Sequence, residues 1–237
     1  MKTGWIVLCR YNSSRLPGKI LREIEGKAVL KYIVERLEMV AEREAIVVAT
    51  SRDGSDDRIE EYCHREGIEC YRGSLEDVAG RFLSCAGAYG FEYAGRINGD
   101  NIFVDPATVA RARDLAEEGR YDFITNVPGR SFPFGMSVEV VRRRFFEEVL
   151  KEVRDPRLRE HVTLALYEDQ ERGKRAYLKA PVEGGRGLQL AVDQEEDLER
   201  ARRLVGRMRK WHGEYGLEEL LELMRSSGEL VSARRGV

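Results

Sequence analysis

The sequence predicts an α/β fold in which helices flank a mainly parallel, mixed sheet. Through the first half of the chain, short apolar runs rich in β-branched residues alternate with amphipathic helical patterns. Repeated strand–helix units build parallel sheets with right-handed crossovers, because parallel neighbours need a long connection. At 237 residues the chain can bury one substantial core. We therefore predict a single domain over residues 1–237 that ends in a helical segment, 194–237.

The strands predicted in the first half are apolar runs bounded by residues that break regular structure. Residues 45–50 form a continuous β-branched run, which is typical of a strand covered on both faces. The run at 93–98 ends at a glycine, where a backbone or a ligand can approach closely. The complete set predicted in this half is 5–8, 45–50, 68–72, 93–98 and 122–127.

Helical patterns fill the intervals between these strands. Residues 28–40 carry apolar side chains at helical spacing, and a second helix ends at Gly67, which suits a left-handed C-cap. Ser74 followed by Asp77 resembles a capping box that begins a third helix. A fourth begins at Asp105-Pro106, which have the N-cap and N1 order.

The second half of the chain is less regular. Residues 128–141 combine turn residues with an alternation of apolar and polar side chains, which favours a loop that leads into a strand or hairpin. Two helical patterns follow at 143–153 and 158–167, and short strands are predicted at 176–181 and 188–193. The rest of the chain has a helical pattern, whose outer surface is available for a homodimer.

Composition excludes several classes of protein. The formal net charge is −2 with both signs mixed, so no overall field would draw the chain to nucleic acid or to a membrane. The basic run at 200–210 has apolar residues at helical spacing, which favours a solvated helix face. No segment is apolar over the length of a signal peptide or a membrane span, and the four cysteines form no C-x-x-C pair. We therefore expect a cytoplasmic protein with reduced thiols.

Residues 9–21 (CRYNSSRLPGKIL), called the cationic loop below, connect the first strand to the first helix. Open α/β sheets bind their ligands where a strand leads into a loop and a helix. The loop has no carboxylate, and its turn at Pro17-Gly18 can bring backbone N–H groups forward. Its cations and hydroxyls, which suit phosphate oxygens, are Arg10, Ser13, Ser14, Arg15 and Lys19. This composition favours a cradle for a nucleotide triphosphate, and a solvated basic loop is the alternative.

Asp100 and Asp193 each lie at the end of an apolar run that is predicted as a strand. Because the carboxyl ends of parallel strands meet at one edge of a sheet, both aspartates can face the cationic loop. Two carboxylates at such an edge suit a Mg²⁺ ion that also binds phosphate oxygens. The alternative for either aspartate is an N-cap, and Asp193 does precede a helical pattern.

Other polar groups are weaker candidates, and the P-loop and G-x-G-x-x-G phosphate motifs are absent. One set follows the third strand and could bind a base edge, although a capped helix explains it equally well: Arg72, Ser74, Asp77 and Arg81. Arg130 and Glu139 flank the turn FPFG and could line the pocket of an acceptor. His161 stands at a helix start, where it could reach substrate or be satisfied on a partly buried helix.

These motifs resemble those of the cytidylyltransferases that activate acidic sugars as CMP conjugates. RYNSSRLPGKIL is similar to their signature R-x-x-S-[ST]-R-L-P-G-K-x-L. This signature is found in CMP-KDO synthetases and in SpsF-type proteins of spore-coat polysaccharide synthesis. Acylneuraminate cytidylyltransferases are related to both groups. ATSRDGSDDRIEEYC, YRGSLEDVAGRF, RINGDNIFVDP, FPFGMSVEV, REHVT and LQLAVDQEEDL resemble successive blocks of the SpsF type. The resemblance spans about residues 5–200.

The resemblance implies a nucleotide-diphosphosugar transferase (GT-A-like) fold, dependence on Mg²⁺, and transfer of CMP from CTP to a small acidic sugar. Arg10, Ser14, Arg15 and Lys19 would then hold the CTP phosphates, with Asp100 and Asp193 on the metal. The block containing Arg72, Ser74, Asp77 and Arg81 would hold the cytosine. FPFGMSVEV departs from the usual D-G-L-D-V-E, with Phe134 and Ser137 in place of two acids. Because that block faces the acceptor in the family, the departure concerns the identity of the sugar.

Two other functions remain open at the level of sequence. A glycosyltransferase that uses a nucleotide sugar on a similar fold would release a nucleoside diphosphate instead of pyrophosphate. It typically has an Asp-x-Asp metal pair, whereas Asp100 is followed by Asn101 and Ile102. A non-catalytic subunit of a polysaccharide-assembly complex would bind CTP without turnover.

Overall fold

The computed structural model describes residues 2–233. Its strands, numbered along the chain, fall at the apolar runs of the sequence. They are β1 (Thr3–Leu8), β2 (Glu23–Ile24), β3 (Lys27–Ala28), β4 (Ile46–Ser51), β5 (Glu69–Gly73), β6 (Tyr93–Asn98), β7 (Phe123–Thr125), β8 (Glu139–Arg142) and β9 (Arg175–Tyr177). The five strands predicted in the first half are confirmed, with bounds that shift by no more than two residues.

Seven of these strands form the main sheet, in the order β5-β4-β1-β6-β8-β7-β9. β8 pairs antiparallel with both β6 and β7, whereas the other neighbours pair in parallel. The predicted mainly parallel, mixed sheet is therefore confirmed. β1 connects to β4 on one side and has β6 on the other, so the order of strands reverses between β1 and β6. Open sheets bind ligands at such a switch point.

Helices cover both faces of the sheet. Their bounds are α1 (Val29–Glu38), α2 (Asp57–Glu66), α3 (Val78–Ala88), α4 (Pro106–Glu117), α5 (Arg143–Glu152), α6 (Pro156–Glu160), α7 (Leu164–Glu168), α8 (Glu195–Val205) and α9 (Leu217–Ser227). Gly67 ends α2 with φ 64°, and Asp105 caps α4 by accepting the Thr108 N–H. Both predicted helix boundaries are confirmed. None of the helices in residues 2–233 has both the length and the apolarity to cross a bilayer.

Alternating side chains of the strands divide the core between the two faces. Trp5 and Val7 of β1 pack with apolar residues of α1, α4, α8 and α9, whereas Ile6 and Leu8 pack with those of α3, α5 and α7. This alternation follows from the period of two along a strand. The first cluster contains both Leu30 and Leu220, so helices from the two ends of the chain share one core.

Several local predictions are wrong, each for a tertiary reason. The helix predicted from Ser74 begins at Val78 with Asp77 as its N-cap, because the Asp77 carboxylate accepts the Gly80 N–H. The helix predicted at 158–167 is divided into α6 and α7 at Val162, which has φ 49°.

The segment 188–193 forms isolated bridges, Gln189 to Phe134 and Leu188 to Ser232, instead of a strand. The predicted C-terminal helical segment contains α8, a short 3₁₀ turn at His212–Glu214 and α9. Residues 230–233 are not helical, and residues 234–237 lie outside the described part of the chain.

Candidate active site

The cationic loop folds back onto the carboxyl edge of the sheet. Gly18, with φ 72°, donates its N–H to the Tyr11 carbonyl at 2.7 Å, and the Tyr11 N–H donates to Asp56 at 2.6 Å. A side chain at Gly18 would be disfavoured by this φ, which explains the glycine of the predicted turn. The fold-back leads into a 3₁₀ turn, Lys19–Leu21, and directs the Lys19 side chain toward the end of β6.

Lys19 lies between the two predicted metal-binding aspartates. Its Nζ is 3.2 Å from Asp193 Oδ1 and 3.8 Å from Asp100 Oδ2, and it donates to the Val192 carbonyl at 2.7 Å. Arg15 Nη2 donates to the same Asp193 Oδ1 at 2.8 Å. The cationic loop and the two aspartates therefore meet at one edge of the sheet, although Asp193 is 174 residues from Lys19 in the chain.

Neither aspartate is an N-cap. α4 begins six residues after Asp100 and is capped by Asp105. α8 is capped by Gln194 in a capping box with Asp197, whose carboxylate also accepts the Asp193 N–H at 3.1 Å. The Asp193 side chain is thus available to the cations of the loop. Its segment is anchored to β6 by the Val192 N–H, which donates to the Asp100 carbonyl at 3.0 Å.

The environment of Asp100 disfavours a negative charge on its carboxyl group beside the charge of Asp193. Burial and the neighbouring Asp193 raise the pKa of Asp100 above its ordinary value, and Lys19 opposes the rise. Asp100 and Asp193 line one recess of about 170 Å³. A cation between them would relieve the repulsion, and in the metal-free protein the Lys19 ammonium has this role.

The donor set fits a divalent cation that completes its coordination from a substrate. In residues 2–233 no three acidic, cysteine or histidine side chains cluster as a metal site. Two carboxylates with open positions are the protein contribution that Mg²⁺ usually has beside phosphates, whereas structural zinc needs a full ligand set.

A cavity of about 290 Å³ opens beside the cationic loop. It is lined by Leu8, Cys9, Arg10, Ser13, Lys19, Ile20, Val78, Arg81, Arg96, Asn98, Gly99, Asp100, Glu160, His161 and Val162. We call it the nucleotide cavity.

Two cations of this cavity have unused donors. Arg10 makes no hydrogen bond or ion pair within the described chain. Arg81 is buried, and its Nε has no hydrogen-bond partner in the same range. Burial lowers the pKa of Arg81, the nearby Cys9 and Asp56 oppose this shift, and Arg10 adds to it.

Five residues predicted to bind the nucleotide do not line this cavity, namely Ser14, Arg15, Arg72, Ser74 and Asp77. Arg72 donates to the Ser51 and Asp53 carbonyls and to Asp57 and Glu60, so its guanidinium ties β4 to α2. We therefore withdraw Arg72 from the site.

Ser74 and Asp77 organise the start of α3 instead. The Ser74 hydroxyl accepts the Asp77 N–H, and the Ser74 carbonyl accepts from Arg81 Nη1. Asp77 also pairs with Arg159 at 3.3 Å. These two residues position Arg81. Ser14 is exposed on the loop and is not among the residues that line the nucleotide cavity, whereas Ser13 is.

A larger cavity of about 970 Å³ adjoins the first and contains all three predicted acceptor residues, Arg130, Glu139 and His161. We call it the acceptor cavity. Arg130 is exposed and lies over the Phe134 ring, 4.7 Å from its centroid. His161 is also exposed and lines both cavities.

Glu139 lines the acceptor cavity, but its carboxylate is already bound by side chains of the protein. One carboxylate oxygen pairs with Arg96, and the other accepts from the Thr163 hydroxyl at 2.8 Å and the Tyr167 hydroxyl. Burial and this carboxylate raise the pKa of Tyr167. With three donors already bound, Glu139 is not a free acceptor for substrate. Its partner Arg96 was missed by sequence reasoning, although a charged residue within the apolar run 93–98 was a signal that could have identified it.

The cationic loop lies opposite two carboxylates at the switch point of a mainly parallel sheet, where open α/β sheets bind their ligands. Residues 5–225 match the sequence model of the family described as Cytidylyltransferase. The chain belongs to that family.

Individual relatives agree with this assignment. Spore coat polysaccharide biosynthesis protein SpsF of Bacillus subtilis is 29% identical over 239 residues, which cover 97% of each protein. A solved cytidylyltransferase from Leptospira borgpetersenii superimposes with a TM-score of 0.91 at 27% identity, covering 100% of this chain and 99% of the other.

Two more distant structures share the fold. CMP:2-keto-3-deoxy-manno-octonic acid synthetase, solved with CTP, has a TM-score of 0.67 at 20% identity. The superposition covers 87% of this chain and 99% of the synthetase chain. Rv0371c of Mycobacterium tuberculosis, solved with manganese, has a TM-score of 0.60 at 16% identity, covering 86% and 99%. The likeness establishes the nucleotide-diphosphosugar transferase (GT-A-like) fold.

Proposed function

We propose that the protein transfers CMP from CTP to a small acidic sugar, nonulosonic or KDO-like, with Mg²⁺ as cofactor, in the synthesis of a surface polysaccharide. The observation that carries the proposal is the meeting of Lys19 and Arg15 with Asp100 and Asp193 beside the nucleotide cavity. Family membership and the likeness to SpsF support the choice of cytidylyl transfer.

In the proposed reaction an acceptor hydroxyl attacks the α-phosphorus of CTP in line. The bond from the α-phosphorus to the bridging oxygen breaks, pyrophosphate leaves with the electron pair, and the hydroxyl proton passes to solvent. Arg15 and Lys19 stabilise the charge that develops on the leaving pyrophosphate, and Arg10 orients the triphosphate. Losing one such donor costs about 2.7–4 kcal/mol, or about 10²–10³ in rate.

Asp100 and Asp193 are the residues that would hold Mg²⁺. The ion would supply positive charge at the phosphate oxygens. The contribution of the chain is to keep the two carboxylates together, which it achieves through the Val192 N–H bond to Asp100 and the shared contact with Lys19.

The acceptor cavity supports an anionic acceptor. Apart from two tyrosines, its ionisable lining comprises Arg96, Arg130, Arg175, His161 and Glu139, and the one carboxylate is neutralised by its own donors. A cavity lined in this way attracts a negatively charged sugar over a neutral one.

The direct test measures pyrophosphate release with ATP, CTP, GTP and UTP against a panel of sugar acids, with and without Mg²⁺. We expect release with CTP, a sugar acid and Mg²⁺ together. Release of a nucleoside diphosphate from a nucleotide sugar would instead identify a glycosyltransferase. Binding of CTP without turnover across the panel would support a non-catalytic subunit.

A matched pair of variants tests the assignment within the loop. Arg15→Ala should lower the rate by about 10²–10³. Arg120→Ala, which removes an exposed arginine paired with Glu118, should have little effect. A loss under about threefold in Arg15→Ala would contradict the proposed role of Arg15.

Consumption of CTP suggests a cytoplasmic setting. The homodimer is likewise a proposal, and light scattering of the purified protein tests it.

A further inference from the structure

Arg96 occupies the boundary between the nucleotide cavity and the acceptor cavity. Three side chains line both, namely Arg96, Asn98 and His161. Of these, Arg96 carries a permanent positive charge, because a guanidinium stays protonated in proteins. It belongs to β6 and lies four residues before Asp100, so the strand that leads to a proposed metal ligand also bears this cation.

The guanidinium of Arg96 is only partly used by the protein. Nη1 pairs with Glu139 and approaches the Thr163 hydroxyl at 3.4 Å. Within residues 2–233, the buried Nε has no hydrogen-bond partner and Nη2 makes no hydrogen bond. The side chain is 18% exposed. Unused N–H groups of a mostly buried cation are costly unless an anion or water completes them.

Glu139 holds Arg96 in a defined orientation. The two residues are directly paired in the register of β6 and β8, and Thr163 and Tyr167 bind the other oxygen of the carboxylate. Glu139 is 3% exposed and already accepts three hydrogen bonds, so it is a poor acceptor for a sugar hydroxyl. Its effect is to fix the plane of the guanidinium, so that Nη2, which lies on the side of the guanidinium not bound by Glu139, remains free to bind a ligand.

We propose that Arg96 binds the carboxylate of the acceptor sugar and thereby makes the enzyme specific for sugar acids, an inference that rests on the proposed function. In a 2-keto sugar acid the carboxyl carbon is bonded directly to the carbon that carries the attacking hydroxyl. The carboxylate must therefore enter the boundary between the cavities together with that hydroxyl. With Nη1 bound to Glu139 and Nε buried, Nη2 of the oriented guanidinium is the donor that can bind the carboxylate there through a charge-assisted hydrogen bond.

The test compares Arg96→Met with wild type on 3-deoxy-manno-octulosonate, N-acetylneuraminate and the methyl esters of both. A hydrogen bond to a charged group contributes about 1.5–3 kcal/mol, so the wild type should prefer the better acid over its ester by about 10- to 150-fold. Arg96→Met should lose that preference, with the KM for the acid raised by a similar factor and the KM for CTP changed less than about threefold. Arg96→Lys should restore part of the preference, because it keeps the charge without the fork.

Several outcomes would overturn the proposal. Equal preference for acid over ester in both proteins would show that Arg96 does not bind the carboxylate, while cytidylyl transfer would stand. A rise in the KM for CTP alone would assign Arg96 to the α-phosphate. Calorimetric binding of the four sugars separates these results from failure of the proposed function, because it needs no turnover. If the wild type binds neither sugar acid more tightly than its methyl ester, the inference is wrong. This result can be obtained even if pyrophosphate is never released. Arg120→Met and thermal melting control for loss of charge and of fold.

Discussion

Replacing Lys19 with methionine would test whether the ammonium stands in for a metal ion between two carboxylates. Methionine preserves the length and apolar stem of the side chain while removing its charge. The variant loses the bond to the Val192 carbonyl and leaves Asp100 and Asp193 without the cation that touches both. We therefore expect the metal-free protein to be less stable than wild type.

The size of the effect follows from burial. A hydrogen bond to a charged group contributes about 1.5–3 kcal/mol, and breaking a fully buried ion pair costs about 3–5 kcal/mol. The three side chains are 12%, 23% and 19% exposed for Lys19, Asp100 and Asp193, so solvent reduces the upper figure. We expect a loss of about 2–3 kcal/mol, which for a chain of this length lowers the Tm by about 4–12 °C.

Magnesium should reverse part of this loss. In the wild type Mg²⁺ must compete with Lys19 for both carboxylates, whereas in Lys19→Met the remaining competitor is Arg15, which contacts Asp193 alone. A ligand at 100 times its Kd stabilises by about 2.7 kcal/mol. The rise in Tm on adding about 10 mM MgCl₂ should thus be several degrees larger in the variant than in the wild type.

Calorimetric melting of wild type, Lys19→Met and Lys151→Met, each with and without MgCl₂, is the measurement. Lys151 pairs with Glu148 on an exposed helix face, so its loss should change stability by at most about 1 kcal/mol. The reasoning is refuted if Lys19→Met melts like Lys151→Met, or if Mg²⁺ stabilises Lys19→Met no more than wild type.

Three further predictions concern other parts of the site. Arg72→Met should lower stability by about 1–3 kcal/mol through lost hydrogen bonds but leave the KM for CTP within about threefold; a large rise in that KM would return Arg72 to the nucleotide site. Gly135→Ala should cost more than Gly187→Ala in unfolding titrations. Both have positive φ, but only at Gly135 would the new Cβ meet the backbone, 2.3 Å from Ala191 N, and equal costs would argue against the contact. Because the pKa of Asp100 is raised, this carboxyl stabilises the metal-free fold below its unfolded pKa, and that contribution is lost as pH rises through the folded value. Mg²⁺ affinity, measured by calorimetry, should therefore fall as pH is lowered toward that pKa, with a proton released on binding, and a flat profile would contradict the assignment.

Much of the fold was predictable because its signals are local. A β-branched run buried on both faces predicted β4, and the Asp105-Pro106 pair predicted the start of α4. The meeting of Lys19 with Asp100 was also predictable, since adjacent parallel strands bring their following loops to one edge. These predictions required only the period of a strand and the direction of the chain.

Side-chain partners were not predictable in the same way, because they depend on tertiary neighbours. From the sequence alone, Arg72 could bind a base. The packing of β5 against α2 shows instead that its guanidinium is bound by Asp57 and Glu60. Glu139 was predicted to bind the acceptor, but its carboxylate accepts a hydrogen bond from the Tyr167 hydroxyl. Tyr167 lies on α7, which the sequence pattern did not distinguish from α6. The pairing of Arg96 with Glu139 needed the antiparallel register of β6 and β8.

The separation of Lys19 from Asp193 has a consequence for biosynthesis. The two residues lie 174 positions apart, so a ribosome adding about 5–20 residues per second needs roughly 10–35 seconds between them. Throughout that interval the nascent chain carries Arg15 and Lys19 without the carboxylate that later pairs with both. A chain truncated before Asp193 would lack this pairing permanently.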